Sequence, residues 1–160
     1  GASLAPGGVH DAMGTHNRLL KLAGGERLYL ELIAIDPAAR PPGRPRWFGL
    51  DNPALQARLE ERPRLIHWVA RSDDLVCEAT SMHGAILSMQ RGDFRWRITV
   101  PADGQLPGDG RLPTLIQWDV SFHPADRLPD AGCALEALET TESPDLVAIL
   151  NTPRGRIVLD

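Results

Sequence analysis

A single carboxylate, Glu31, stands inside the otherwise apolar run of residues 28–35. A strand as apolar as this one buries at least one of its faces. An ionised carboxylate that is buried without a partner costs several kcal/mol or changes its pKa. We therefore expect a cation, a hydrogen-bond donor or a metal beside Glu31, and we place the candidate functional site there.

The segment 94–100 offers a cation for that carboxylate. Side chains alternate along a strand, so Arg95 and Arg97 share one face and Trp96 lies on the other. A guanidinium binds a carboxylate by two parallel hydrogen bonds, and this makes Arg97 the predicted partner of Glu31 or of an anionic substrate. The alternative is that Arg97 lies on a solvated outer face.

Three further residues are candidates for ligand contacts. His16 and Asn17 are polar neighbours in the apolar segment 13–22, and they point to opposite faces, so one of them at most faces a pocket directly. Trp47 ends the connector 38–46, which is rich in Pro and Arg, and its amphipathic ring suits the wall of a ligand site. His10, His83 and His123 fall in segments that read as loops or helix ends, where we expect solvated side chains.

The elements that must position these residues follow from periodicity and turn signals. The helices expected are 53–61, opened by the Asp51-Asn52-Pro53 cap, and one that starts at Ser72 and ends near Gly84. The expected strands are 2–6, 13–22, 28–35, 65–70, 85–90, 94–100, 114–120 and 133–138, with a closing hairpin across 151–155. From His67 onward the order is strand, helix and three strands, and the three strands before the connector look like the same unit without its opening strand and helix.

Length and composition exclude several classes of function. The 160 residues carry a net charge of -4, which leaves no basic surface for nucleic acid or an anionic membrane. Cys77 and Cys133 are too few for a disulfide framework or a thiolate zinc site. The sequence has no glycine-rich phosphate loop, so we expect no nucleotide cofactor. No signal peptide or membrane span is visible, and we therefore expect a soluble, cytoplasmic protein with a small-molecule ligand.

Five blocks of sequence, in this order, are similar to the glyoxalase-like domain family of the vicinal oxygen chelate superfamily. They are Gly14-Thr15-His16-Asn17-Arg18-Leu19-Leu20, Leu30-Glu31-Leu32-Ile33-Ala34, Gly43-Arg44-Pro45-Arg46-Trp47-Phe48-Gly49-Leu50, Arg95-Trp96-Arg97-Ile98-Thr99-Val100-Pro101 and Leu112-Pro113-Thr114-Leu115-Ile116-Gln117-Trp118-Asp119. The resemblance implies an α+β fold of paired βαβββ modules, whose two curved mixed sheets enclose a cleft. It divides the single domain 1–160 into the remainder of a first module (1–37), a connector with a short helix (38–63), a second module (64–121) and a C-terminal extension (122–160).

The resemblance also implies a chemistry. Enzymes of this superfamily hold a divalent metal in the cleft, with ligands from the first and last strands of each module, and the matching positions here are Glu31, His67 and Gln117. If the faces that carry them line the cleft, the three side chains converge. We then expect one metal ion, with Glu31 or His67 as the catalytic group that moves a proton, in a lyase, isomerase or dioxygenase. The alternative is a metal-free protein of the same fold that binds or sequesters a small molecule.

Two departures from the family pattern accompany these expectations. We expect the opening strand and helix of the first module to precede Gly1, and a segment to be missing near Asp145, between Pro144 and Val147. A module without its opening strand leaves an unpaired sheet edge. We therefore expect a homodimer, since two-fold association is the commonest way in which a chain covers such an edge.

Overall fold

The computed structural model describes residues 3–140 and 146–160. The first sheet has three antiparallel strands in the order β1-β2-β3, namely β1 (Ala5–His10), β2 (Thr15–Lys21) and β3 (Tyr29–Ile35). The first strand was expected over 2–6 but lies further along the chain, at Ala5–His10. Its pairing with β2 continues to His10 across a register shift between Pro6 and Val9. The assignment of residues 1–37 to the remainder of a first module stays a prediction.

The connector leads into the helix α1 (Pro53–Glu61), which has the predicted bounds. Asn52 caps it by accepting from the backbone N–H groups of Ala54 and Leu55, at 2.9 and 3.4 Å. Pro53 occupies the first turn, where its missing N–H has no intrahelical partner to lose.

The second sheet comes from one strand-helix-strand-strand-strand unit, as expected. Its order is β4-β7-β6-β5, with β4 parallel to β7 and the other neighbours antiparallel. The elements are β4 (Val69–Arg71), α2 (Leu75–Glu78), β5 (Ala85–Arg91), β6 (Phe94–Val100) and β7 (Thr114–Trp118).

Two boundaries in this unit differ from the sequence-based expectation. The strand expected over 65–70 is reduced to β4, so His67 lies in the segment just before it. The helix expected from Ser72 to Gly84 is only α2, followed by a 3₁₀ turn at Ser81–His83. Ala79 is extended, with φ -69° and ψ 133°, and Thr80 binds His83 through both its N–H and its hydroxyl, which favours a turn over a continued helix.

A third sheet, in the order β10-β9-β8, covers the outer face of the first. It consists of β8 (Ala134–Thr140), β9 (Leu146–Thr152) and β10 (Gly155–Leu159), so the closing hairpin is confirmed. The strand expected over 133–138 is confirmed as β8 and runs two residues further. The gap expected near Asp145 lies outside the described residues.

The two faces of the first sheet bury different clusters. Leu20 and Leu22 pack with Cys133 and Leu150 towards the third sheet. On the opposite face, Ile33 packs against a core formed between the first and second sheets, whose buried members are Met13, Trp47, Leu50, Met89, Trp96, Ile98 and Val100. Among the described helices, none has the length and apolarity needed to cross a membrane.

Candidate functional site

A cleft opens between the first and second sheets beside the inner core. Its empty space is about 480 Å³, including the mouth that is open to solvent. Aromatic and aliphatic side chains form most of its walls, and the partly exposed Val69 is one of the residues that line it. The connector and the second sheet supply its tryptophan and phenylalanine side chains, which are Trp47, Phe48, Trp96 and Trp118.

The polar groups of the cleft come from the first sheet and from one residue of the second. His10 ends β1, Asn17 lies in the middle of β2, Tyr29 and Glu31 lie on the same face of β3, and Arg91 ends β5. Strand alternation explains why Asn17, Tyr29 and Glu31 face inwards while Leu20 and Leu30 face the third sheet.

Hydrogen bonds join these groups into one chain. Asn17 donates from Nδ2 to Oε1 of Glu31 over 2.6 Å, and its Oδ1 accepts from the N–H of Gly8 at 2.8 Å. Arg91 donates from Nη1 to Nε2 of His10 at 3.1 Å, with a longer contact of 3.4 Å to Oδ1 of Asn17. A guanidinium only donates, so Nε2 of His10 is the acceptor. Nδ1, which lies 3.2 Å from Oγ1 of Thr15, then carries the proton and donates it to that hydroxyl oxygen.

The adjacent glycines of β1 make this arrangement possible. A Cβ at Gly7 would collide with the side-chain oxygen and the backbone of Asn17, and one at Gly8 would stand 2.5 Å from Cδ of Arg91. Glycine in a strand interior often marks a bulge or a close approach of another group. The pair Gly7-Gly8 therefore lets the Asn17 amide and the Arg91 stem lie directly against the β1 backbone.

The surroundings alter the ionisation of three of these groups. Burial raises the pKa of Glu31, although the hydrogen bond from Asn17 and the charge of Arg91 act in the opposite direction. Burial, together with the nearby Glu31 carboxylate, also raises the pKa of Tyr29. Burial and the charge of Arg91 lower the pKa of His10 to about 4, so its imidazole is neutral at physiological pH.

Several polar atoms of the cleft are left available to a ligand. Within residues 3–140 and 146–160, no hydrogen-bond partner contacts Oε2 of Glu31, the hydroxyl of Tyr29, or Nε and Nη2 of Arg91. Nε1 of Trp47 is buried and also has no partner. Polar atoms that face an apolar cleft without a protein partner are the groups that a ligand can contact.

Phe48 adopts a backbone conformation that bulky residues rarely take. Its φ is +59°, and Gly49 follows with φ +67°. The Phe48 ring stacks on Trp47, with 5.1 Å between centroids and an interplanar angle of 19°. A left-handed conformation at a bulky residue costs of order 1 kcal/mol or more, and such strain clusters at ligand sites.

The structure brings together only some of the residues predicted from the sequence. Glu31, Asn17 and Trp47 all line the cleft. His16 is exposed, on the other face of β2.

Gln117 and Arg97 lie on the outer face of the second sheet. The expectation that their side chains face the cleft was wrong. Gln117 accepts from the N–H of Leu75 at 3.0 Å and donates to the carbonyl of Asp73 at 2.9 Å, so it holds the start of α2. Arg97 pairs with Asp119 at 3.1 Å instead of Glu31. The faces of β7 and β6 that line the cleft carry Ile116, Trp118, Trp96 and Ile98.

His67 also has a structural role. Its Nε2 accepts from the N–H of Thr114 at 3.0 Å and lies 3.0 Å from the hydroxyl of the same residue. Burial lowers the pKa of His67 to about 4. Its side chain does not line the cleft, and so it does not meet Glu31 there.

The donor set of the cleft does not fit a divalent metal. Over the part of the chain that the structure describes, no group of three or more His, Cys, Asp or Glu side chains is positioned to hold one. Beside Glu31, the second candidate donor is His10, whose Nε2 is already occupied by the guanidinium of Arg91. A positive charge at that point repels a metal ion. The metal itself stays a prediction.

His10, Tyr29 and Arg91 are polar residues of the cleft that the sequence analysis did not assign to a site. His10 was expected to be solvated, as were His83 and His123, yet the three side chains are only 7, 6 and 5% exposed. Arg91 falls between the strands expected over 85–90 and 94–100. A sequence signal that could have found them is the pair Gly7-Gly8, which follows the strand expected over 2–6 and indicates a turn or a close approach without naming the group that approaches.

Comparisons with known proteins agree with this architecture. The family model described as a glyoxalase-like domain matches residues 1–151. No curated protein and no solved structure matches the chain. Since the family match covers nearly the whole chain and the fold is α+β with few helices and several sheets, the chain belongs to the glyoxalase-like domain family of the vicinal oxygen chelate superfamily.

Proposed function

We propose that this chain binds a small, flat organic molecule in the cleft between its first and second sheets, without a metal. The observation that carries the proposal is the combination of aromatic walls with a fixed polar cluster that has unused hydrogen-bonding atoms. Ligand sites are mostly apolar clefts with a few placed polar groups. Trp47, Phe48, Trp96 and Trp118 supply faces for a conjugated ring, and Glu31, Tyr29 and Arg91 supply the polar contacts.

The polar cluster is preorganised before any ligand arrives. Asn17 is held by Gly8, Glu31 and Arg91, and His10 is held by Thr15 and Arg91. Side chains fixed by several partners lose little conformational entropy on binding, and that favours affinity. Binding or sequestering a small molecule needs nothing more than these walls and this cluster.

A second candidate is an enzyme of the glyoxalase, dioxygenase or epimerase type, and the raised pKa of Glu31 favours it. A carboxyl group that keeps its proton closer to neutral pH can act as a general acid or base. Glu31 would be the catalytic residue in this case. His67 does not line the cleft, so it does not share that role.

The two candidates differ in what happens to a bound ligand. Phenylpyruvate, with an aromatic ring and an enolisable CH₂ group, is a suitable probe. Deuterium exchange at that CH₂, followed by proton NMR in D₂O, is faster with the protein than without it if Glu31 transfers protons, and the Glu31→Gln variant loses the acceleration. Binding of phenylpyruvate with no acceleration of exchange supports the binding protein.

The location of the site is tested by filling the cleft mouth. Val69 is 44% exposed and lines the cleft, so Val69→Trp fills the mouth without changing the core. Val76 is 67% exposed on α2 and does not line the cleft, which makes Val76→Trp the matched control. By isothermal titration calorimetry with 2-naphthoate and 2-naphthamide, we expect Val69→Trp to weaken binding at least about tenfold and Val76→Trp to leave it unchanged. Equal binding by both variants would place the site elsewhere.

A further inference from the structure

Arg91 has no ion-pair partner among the described residues, although it lies near enough to Glu31 for the two charges to interact. Its side chain is partly buried, and its two hydrogen-bond partners, His10 and Asn17, are both neutral. Among the described residues, no carboxylate lies within ion-pair distance of it. Other arginines of the second sheet and connector do have such partners: Arg97 pairs with Asp119, and Arg46 with Asp51. A partly buried cation without an ion-pair partner is costly, so an anion bound beside Arg91 would stabilise it.

The guanidinium of Arg91 is presented with its recognition edge open. Nη1 is held by His10 and Asn17, and both Cδ and Nε lie close to Gly8, where an added Cβ would stand 2.5 and 2.9 Å from them. This leaves Nε and Nη2, the adjacent pair that binds the two oxygens of a carboxylate side by side. The atoms that fix the orientation and the atoms that remain available are therefore different ones.

The rest of the cleft also offers donors in excess. The Tyr29 hydroxyl and the buried Nε1 of Trp47 have no acceptor among the described residues. The group that could repel an anion is Glu31, but Asn17 already donates to its Oε1, and burial favours its neutral form. His10, which borders Arg91, adds no charge at physiological pH. Oxygen-rich, negatively charged ligands match this set of groups better than neutral or basic ones do.

We propose that the ligand of this cleft is an organic anion, whose carboxylate or equivalent oxyanion is bound side-on by Nε and Nη2 of Arg91 while its flat body lies against the aromatic walls. This proposal rests on the proposed function, since it names the ligand class of the same site. It makes Arg91 the residue that determines specificity, through a direct contact with the ligand.

The experiment compares two probes that share a shape and differ in charge. 2-Naphthoate carries a carboxylate where 2-naphthamide carries a neutral amide on the same ring system. We expect the wild-type protein to bind naphthoate at least about tenfold more tightly, since a hydrogen bond to a charged group contributes more than one to a neutral group. We expect Arg91→Gln to lose this preference and to keep its affinity for naphthamide. Arg95→Gln is the matched control, because Arg95 is exposed and lies outside the cleft lining.

A second variant guards against loss of folding in Arg91→Gln. Gly8→Ala keeps the arginine but forces its stem away from β1, because the new Cβ would stand 2.5 Å from Cδ. We expect this variant to lower the preference for naphthoate several-fold, and Gly43→Ala, where a Cβ meets nothing within 4 Å, to have no effect. Circular dichroism shows which variants remain folded.

The outcomes separate this proposal from the one on which it depends. Equal affinity of the wild-type protein for both probes, or a preference that survives in folded Arg91→Gln and in Gly8→Ala, would overturn the anion proposal and leave the cleft as a neutral binding site. Failure of both probes to bind would overturn the proposed function, and the anion proposal with it.

Discussion

Asn17 and Glu31 are joined by a 2.6 Å hydrogen bond across neighbouring strands, so the carboxylate of β3 is held by an amide and not by a cation. This relationship sets the character of the cleft. Asn17 fixes one oxygen of Glu31 and leaves the other free, while its own Oδ1 links the carboxylate to Gly8 and Arg91. The position of the Glu31 carboxyl group is therefore fixed by an uncharged neighbour, while the charge of Arg91 acts on it without a direct contact among the described residues.

Glu31→Gln should make the protein more stable at pH 8 than the wild type. The amide can still accept from Asn17, and the variant avoids burying a negative charge. The pKa of Glu31 is raised in the folded protein above its ordinary value of 4.5. At pH values between these two pKa values the folded protein therefore binds more protons than the unfolded chain, and the free energy of unfolding falls as the pH rises through this interval. A pKa that is higher by one in the folded protein than in the unfolded chain corresponds to about 1.4 kcal/mol of unfolding free energy.

Urea unfolding at pH 4 and pH 8 measures this effect. The difference between wild type and Glu31→Gln should be near zero at pH 4 and favour the variant at pH 8. Glu60→Gln, at an exposed position of α1, is the control and should show no such change. A variant that is less stable than wild type at pH 8 would mean that the ionised carboxylate stabilises the fold.

At position 48, glycine should be better tolerated than alanine. Phe48 has a φ of +59°, where a residue with a Cβ costs about 1 to 2 kcal/mol and glycine does not. Both substitutions remove the ring that stacks on Trp47, so their difference isolates the backbone strain. We expect Phe48→Gly to be more stable than Phe48→Ala by about 1 kcal/mol in urea unfolding.

The order should reverse at an ordinary strand position. Gln90 is exposed in β5, where glycine is normally less stable than alanine. Gln90→Ala and Gln90→Gly therefore serve as the control pair. If alanine is also the better residue at position 48, the left-handed conformation of Phe48 is not a source of strain.

Buried His67 should make the protein sensitive to acid. Its pKa is lowered from 6.5 to about 4, so the unfolded chain binds a proton that the folded protein refuses as the pH falls through this interval. Stability is therefore lost between pH 6.5 and pH 4, by roughly 2 to 3 kcal/mol at most from this residue. In His67→Gln, whose amide oxygen can accept from Thr114, the loss over this interval should be smaller.

Denaturant unfolding at a series of pH values between 6.5 and 4 makes the comparison. The exposed His16 provides the control variant, His16→Gln, whose profile should follow that of the wild type. Parallel profiles for wild type and His67→Gln would show that His67 takes up its proton in the folded state as readily as in the unfolded chain.

Local signals predicted much of the fold. The cap at Asn52-Pro53 fixed the bounds of α1, and the alternation of aromatic and arginine residues fixed those of β6. Both features depend on neighbours in sequence. The strand order of the second module was likewise readable, because its strands are separated by clear turns such as Gly92-Asp93.

The site was less predictable, because its residues meet across long separations. In β7 both faces carry apolar residues, with Leu115 on one and Ile116 on the other. The pattern therefore did not indicate which face turns to the cleft, and Gln117 was assigned to the cleft face wrongly. The contact between His10 and Arg91 joins residues 81 positions apart, at the meeting of β1 and β5. Only the packing of the two sheets brings these side chains together. Glu31 was found because a carboxylate in an apolar strand needs a partner wherever the chain supplies one.

The most direct test of the account is a calorimetric titration of the wild-type protein with 2-naphthoate, before and after exhaustive removal of divalent metals with EDTA and dialysis. We predict the same affinity in both samples, because Arg91 and the aromatic walls hold the ligand and no described group of side chains is suited to a metal. Loss of binding after chelation, restored by Zn²⁺, Mn²⁺ or Ni²⁺ but not by buffer alone, would contradict the account and return the cleft to metal chemistry.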